Sequence, residues 1–313
     1  MSTITTTSQS ATSSSLRRLI KRHPLVAFFV LAFAGAWIPF LPLLLARNGF
    51  GLLPLTLPGW TVNDLIPGLP LFTTICAFIG PTLAAFIVTA ATSGAAGLRQ
   101  LLRRIGQWRV GAGWYLLALL GYPLLYVGIG IITLGRTSLP TLLAQWSLLF
   151  TIYLPYTVWD LISTMGEEMG WVGYALPNLQ QRMAPWLSAV TLGVLWALWH
   201  LPAFFVTGLL GPFSIGYFVF FIVFAAATRI TWTWIFNKTK GSVIIIALLH
   251  AASNGTTIVL IPRLPMIPPA ATLLFLGLIV VVFPVLILIF TRGRLSYKPD
   301  RVAQPAEAVL PQA

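Results

Sequence analysis

Apolar residues run through this chain in long, nearly unbroken blocks, and most polar residues fall between them. Eight blocks lie near 25–46, 71–92, 114–134, 146–166, 186–207, 214–236, 242–262 and 270–291. A helix needs about 20 mostly apolar residues to cross the hydrocarbon core of a bilayer. Each block reaches about that length and ends at Pro, Gly or a charged residue. The pattern predicts an all-α, polytopic membrane protein with about eight transmembrane helices. Between the first two blocks, residues 47–70 read as a Gly- and Pro-rich loop or amphipathic segment, and no internal repeat stands out.

Residues 1–16 are rich in Ser and Thr and lack apolar periodicity, so they read as a disordered tail. Arg17, Arg18, Lys21 and Arg22 follow, and then the first block. That block is too long for a signal peptide, and no small-residue cleavage site follows it, so it is expected to stay as the first helix. The stretch 98–110, LRQLLRRIGQWRV, repeats apolar residues at helical spacing with Arg on the other face. It is expected to lie along the cytoplasmic membrane surface, a solvated basic loop being the alternative. These boundaries divide the chain into the tail (1–16), an N-terminal group of membrane helices (17–144), a core (145–265), and a last helix with a cytoplasmic tail (266–313).

Charge adds orientation. The 313 residues carry 19 Lys and Arg against 6 Asp and Glu, a net charge of +13; charged residues make up 8 % and hydrophobic ones 58 %. Soluble domains carry about 25 % charged residues, so a soluble enzyme is excluded. A nucleic-acid binder holds its basic residues on a solvated surface, which this chain lacks, so no nucleic-acid partner is expected. Threading the eight helices places fifteen basic residues on one side and three (Arg47, Arg136 and Arg263) on the other, with Arg229 inside a span. Positive residues favour the cytoplasmic side, so both termini are expected in the cytoplasm, and the bilayer is the first partner. A multi-pass protein of a bacterial cell membrane is the expected localisation. The single cysteine, Cys76, lies in an apolar run and excludes an internal disulfide.

Ionisable groups inside a membrane are costly and mark function by default. Here they are Asp160, Glu167, Glu168, His200, Arg229 and His250, whereas Asp64, Asp300 and Glu307 lie in loops or the tail. At 1.5 Å per helical residue, Glu167 lies roughly 16–22 Å from the cytoplasmic end of its helix, His200 roughly 22 Å and Asn254 roughly 20 Å. Three helices are therefore expected to bring polar groups to one depth. Glu167 and Glu168 project about 100° apart, so one can face a cavity while the other secures the helix. His250 and Asn254 share a face, as do Trp196 and His200. Asp160 is read as structural or cavity-lining, and Arg229 as snorkelling or pairing with a carboxylate. Pro202 should loosen the helix after His200 and free carbonyls. Gly166, Gly170 and Gly173 should admit a close neighbour beside the Glu pair.

A carboxylate beside an imidazole can activate water. An Asn amide and a second imidazole can hold a tetrahedral oxyanion. Glu167, His200, His250 and Asn254 are thus the candidate catalytic residues for hydrolysing an acyl bond such as a peptide bond, with Glu168 and Trp196 in support. No cofactor is required. Glu167, His200 and His250 are also a donor set that a divalent metal such as zinc accepts, although their spacing does not demand one. A transporter or proton relay also uses buried Glu/His pairs, but two matching halves with broken helices are not seen.

Glu167-Glu168-Met-Gly-Trp-Val-Gly-Tyr-Ala-Leu-Pro, then Trp196-Ala-Leu-Trp-His200-Leu-Pro, then His250-Ala-Ala-Ser-Asn254 resemble, in order and spacing, the three motifs of the CPBP family. These are intramembrane proteases related to type II CAAX prenyl endopeptidases and to bacteriocin-processing or immunity proteins. The resemblance covers roughly residues 145–265. It implies that Glu167 and His200 activate the water, that His250 and Asn254 stabilise the oxyanion, and that Glu168 supports them. It further implies a membrane-associated peptide or protein as substrate, prenylated CAAX proteins being the substrate of one branch of the family only. The family is labelled both metalloprotease and metal-independent glutamate protease. Two positions depart from it. The first motif commonly ends in Arg four residues after the second Glu, where this chain has Val172, and the second commonly begins with Phe, where it has Trp196. The alternative is a catalytically inactive scaffold or immunity-type protein of the same fold, which Val172 favours.

Overall fold

The computed structural model describes residues 15, 17–47, 49–55, 68–135, 140, 144–206, 209–210 and 214–299. The expected tail (Ser15 apart), Asp64, Arg136, Asp300, Arg301 and Glu307 lie outside the described residues. Among the described residues the regular structure is helical, with no strand. We label α1 (Pro24–Leu45), α2 (Gly68–Ala77), α3 (Leu83–Ile105), α4 (Ala112–Leu134), α5 (Leu154–Gly170), α6 (Leu176–Gln180), α7 (Pro185–Trp199), α8 (Ile215–Lys238), α9 (Val243–Asn254), α10 (Pro269–Gly277) and α11 (Phe283–Thr291). Wider π-helical turns join several of them into longer rods, at Phe78–Thr82, Leu149–Tyr153, Trp171–Ala175, Gly255–Leu260 and Leu278–Val282.

Seven helical stretches are long and apolar enough to cross a membrane: Pro24–Leu45, Phe72–Ile105, Ala112–Leu134, Pro185–Phe205, Ile215–Lys238, Val243–Arg263 and Pro269–Thr291. They coincide with seven of the eight expected blocks. The remaining block, 146–166, is helical through α5 but falls short in apolarity, because Asp160 and several Thr and Ser dilute it. Its polar side is turned into the protein, with Thr164, Glu167 and Glu168 buried, while Val158, Trp159 and Ile162 are exposed. That is the arrangement a helix needs when its outer solvent is lipid.

The same inversion runs through the molecule. Val26 and Val30, Leu116 and Leu124, and Ile215, Val219 and Val223 are exposed at helical spacing. Only an apolar solvent makes such stripes stable. The chain is a multi-pass integral membrane protein. Trp171, Phe28, Tyr126 and Phe236 fill the interior.

The expected surface helix at 98–110 is shorter than its apolar pattern. α3 breaks at Gly94 (φ 58°, ψ −150°), resumes, and ends at Ile105, so residues 106–111 are irregular. That backbone conformation is open to glycine and strained for other residues.

Helix packing centres on α5. It lies against α9, α2 and the Phe78–Thr82 turn, while α7 and α8 form a second tight pair. A methyl group on Gly170 would come within 2.6 Å of Pro81 Cβ, and one on Gly193 within 2.6 Å of Ala226 Cα. Small residues at these points let the backbones touch. The Thr82 hydroxyl donates to the Gly166 carbonyl and ties the same contact.

Candidate active site

The two glutamates at the end of α5 point to different surroundings, as adjacent helical residues must. Glu167 is 8 % exposed and lines a cavity, whereas Glu168 is fully buried. Arg229 of α8 donates to both oxygens of Glu168, at 2.7 Å and 2.8 Å. His250 Nδ1 lies 3.0 Å from the same carboxylate. The guanidinium also sits over the rings of Trp196 and Trp232, 5.3 Å and 5.0 Å from their centres, a favourable cation–π placement. A bidentate, charge-assisted pair is the strong form of ion pair. The cation absent from position 172 is therefore supplied by another helix. Val172 itself is buried in the hydrophobic core within the Trp171–Ala175 turn.

His200 owes its setting to Pro202. The chain leaves α7 as a tighter 3-10 turn, Leu201–Phe205. The His200 N–H donates to Ala197 O, three residues back, and the Ala203 N–H to His200 O. That shift takes those two amides off the Trp196 and Trp199 carbonyls. The ring Nδ1 of His200 lies 2.9 Å from Trp196 O, and Trp37 Nε1 of α1 donates to Trp199 O at 2.9 Å. A carbonyl only accepts, so Nδ1 carries the proton, and a neutral ring presents its lone pair at Nε2. Trp196 also donates through Nε1 to Glu167 Oε2 at 2.7 Å, and its ring centre is 4.2 Å from that of His200. The second Glu167 oxygen has no partner among the described residues.

From α9 come His250 and Asn254. Asn254 Nδ2 donates to Asp160 Oδ2 at 2.9 Å, and its second amide hydrogen has no partner among the described residues. The Thr164 hydroxyl donates to Ala247 O at 3.0 Å and fixes α9 against α5.

Glu167, His200, Asn254 and Asp160 line one cavity of about 540 Å³, with Trp37, Phe40 and Trp199 on its apolar side. His250 is not among its lining residues; its ring is held behind, on Glu168, 5.5 Å from the Trp196 ring centre. Tyr156 and Ser163 also line the cavity and went unnoticed in the sequence. Their signal was there: 156, 160, 163 and 167 follow helical periodicity and form one polar stripe. No three His, Cys, Asp or Glu side chains among the described residues form a group that could hold a metal ion. Glu167, His200 and His250 are not brought together as such a group, since His250 is held on Glu168.

Residues 145–256 match the family model for type II CAAX prenyl endopeptidase Rce1-like proteins. A curated protein, CAAX prenyl protease 2 of Methanococcus maripaludis, is 31 % identical over 108 residues, covering 33 % of this chain and 40 % of that protein. The chain thus matches about 40 % of the length of its curated relative. The matched family segment holds the Glu pair, Trp196, His200, His250 and Asn254, which come from all three helices that build the site. Over residues 145–256, the chain is therefore similar to the type II CAAX prenyl endopeptidase Rce1-like family.

Proposed function

We propose that this protein is a membrane-embedded endopeptidase that cuts a membrane-associated peptide, of which a prenylated CAAX-like segment is the first candidate. The observation that carries this reading is the convergence of Glu167, His200 and Asn254, from three helices, on one cavity. In the proposed reaction the unpartnered oxygen of Glu167 takes a proton from water while His200 Nε2 accepts a hydrogen bond from the same water and orients it. The hydroxide attacks the scissile carbonyl. The second amide hydrogen of Asn254 donates to the oxyanion. His250 joins it only with protons on both ring nitrogens, the Glu168 carboxylate being the counter-charge. Collapse of the intermediate breaks the C–N bond, and Glu167 returns the proton to the leaving amine. No step runs through a metal.

The inactive-scaffold reading rested on Val172. With Glu168 already paired to Arg229, that reading loses its main argument. The deciding experiment uses purified full-length protein and a prenylated CAAX peptide. The wild type should cleave it, and Glu167→Gln should lower kcat by about 10²–10⁴-fold, the usual contribution of a positioned general base. An unchanged rate in a folded Glu167→Gln protein would reject the assignment.

A further inference from the structure

The geometry points to a second binding site, for an anionic phospholipid, at the end of the bundle where α8 and α11 finish together. It shares no lining residue with the cavity of Glu167. A polar pocket of about 410 Å³ is lined there by Lys238, Arg294, Lys298, Ser296 and Tyr297, with Asn237 at its floor. The three carboxylates among the described residues all belong to the site on α5, so the three cations have no ion-pair partner among the described residues.

The pocket is built rather than a loose tail. After α11 the backbone turns through Arg292 (φ 51°), Gly293 (φ 72°), Leu295 (φ 47°) and Ser296 (φ 55°). That hook is pinned at three points. The Trp186 N–H donates to Gly293 O at 3.2 Å, Asn237 Nδ2 donates to Leu295 O at 2.9 Å, and the Leu295 side chain is fully buried on Ala189 and Ile230. Asn237 is 9 % exposed, and its Oδ1 has no partner among the described residues. A bonded Nδ2 fixes the amide, so Oδ1 asks for a donor. The ligand must therefore carry a negative group for the three cations and a hydroxyl or similar donor for Asn237.

Below the pocket, between this helix pair and α4, lies an apolar groove of about 380 Å³. Trp234 and Ile235 of α8 line the groove, and Lys238 lines the pocket three and four residues on. On α11, Leu286 and Ile287 line the groove, and Phe290 lines the pocket. Spacings of three and four place these residues on common faces, so the groove begins one helical turn from the charged pocket. Phe290, 81 % exposed, stands at the junction. Free phosphate satisfies the cations and leaves the groove uncovered. A phospholipid with a hydroxylated headgroup, such as phosphatidylglycerol, satisfies both, with phosphate on the basic residues, hydroxyl on Asn237 and an acyl chain in the groove.

Delipidated full-length protein in detergent tests this by titration with dioctanoyl phosphatidylglycerol, dioctanoyl phosphatidylcholine and glycerol 3-phosphate. Phosphatidylglycerol should bind at least about tenfold more tightly than either of the others. The exposed triple variant Lys238→Gln/Arg294→Gln/Lys298→Gln should weaken it roughly 100-fold, since each basic group near a headgroup is worth about fivefold. Arg99→Gln/Arg103→Gln, elsewhere on the basic surface, should change nothing. Leu286→Trp should fill the groove, weakening the lipid and sparing glycerol 3-phosphate. Equal binding of the two lipids, or full affinity in the triple variant, would overturn the site. Binding of glycerol 3-phosphate as tight as that of the lipid would overturn the groove's role.

Discussion

Glu168 shows what a buried carboxylate demands of its neighbours. It is fully buried and holds Arg229 in a bidentate pair, with His250 on one oxygen. Removing one member of such a pair strands the other charge, at a cost of about 3–5 kcal/mol. Arg229→Ala should therefore lower unfolding stability by that amount in detergent, as read by denaturant titration. Removing both charges, in Arg229→Met/Glu168→Gln, should recover part of the loss, a non-additivity that a double-mutant cycle measures. The chelator experiment also belongs at this scale. Because the donors do not close on a point, EDTA at millimolar excess should leave peptidase activity unchanged. A loss that zinc restores would reject the metal-free route. The sequence exposed the ionisable residues themselves, since each is anomalous in an apolar run. It offered Arg229, 61 positions away, as one of several partners open to Glu168, and the structure selects that pairing. It did not expose the direction of His250, which shares a helix face with Asn254 yet turns to Glu168 instead of lining the cavity.

Among elements, the end of α7 carries the clearest link from sequence to site. Pro202 forces a tighter turn, and the carbonyls released by that turn take the His200 ring and Trp37. Pro202→Ala restores an amide and lets α-helical bonding continue, so His200 loses its fixed tautomer. A neutral hydrogen bond is worth about 0.5–1.5 kcal/mol, and kcat should fall by up to about tenfold with little change in KM. Equal losses in stability and KM would instead mark a purely structural role. Seven of the eight apolar blocks were legible as spans to within a few residues, except that the second continues to Ile105 beyond Gly94. α5 was legible as a helix but blends two signals, an apolar outer face and a polar inner one, and so falls below the apolarity of its neighbours. The polar stripe through Tyr156 and Ser163 needed its period to be followed further than the carboxylates alone suggested.

For the molecule as a whole, the charge asymmetry makes a statement about orientation. In a Cys76→Ser background, cysteines at Lys21, Arg182 and Lys298 should react with an impermeant maleimide from the cytoplasmic side, and one at Arg263 from the opposite side. Labelling of Lys21 and Lys298 from opposite faces would break the expected even-numbered threading. The helical, inside-out character was readable from the apolar blocks because bilayer thickness sets their length. Which helices touch was not readable, because lipid and protein interior are equally apolar, and only close-approach points such as Gly170 and Gly193 mark the contacts.

The placement of Arg229 bears on how relatives of this chain are recognised. A search pattern that requires arginine four residues after the second glutamate rejects this sequence, although its buried carboxylate has a counter-ion. Pattern writers would do better to ask for neutrality of the buried ensemble than for a residue at one register, and to inspect the helix before the third motif when the first lacks its cation.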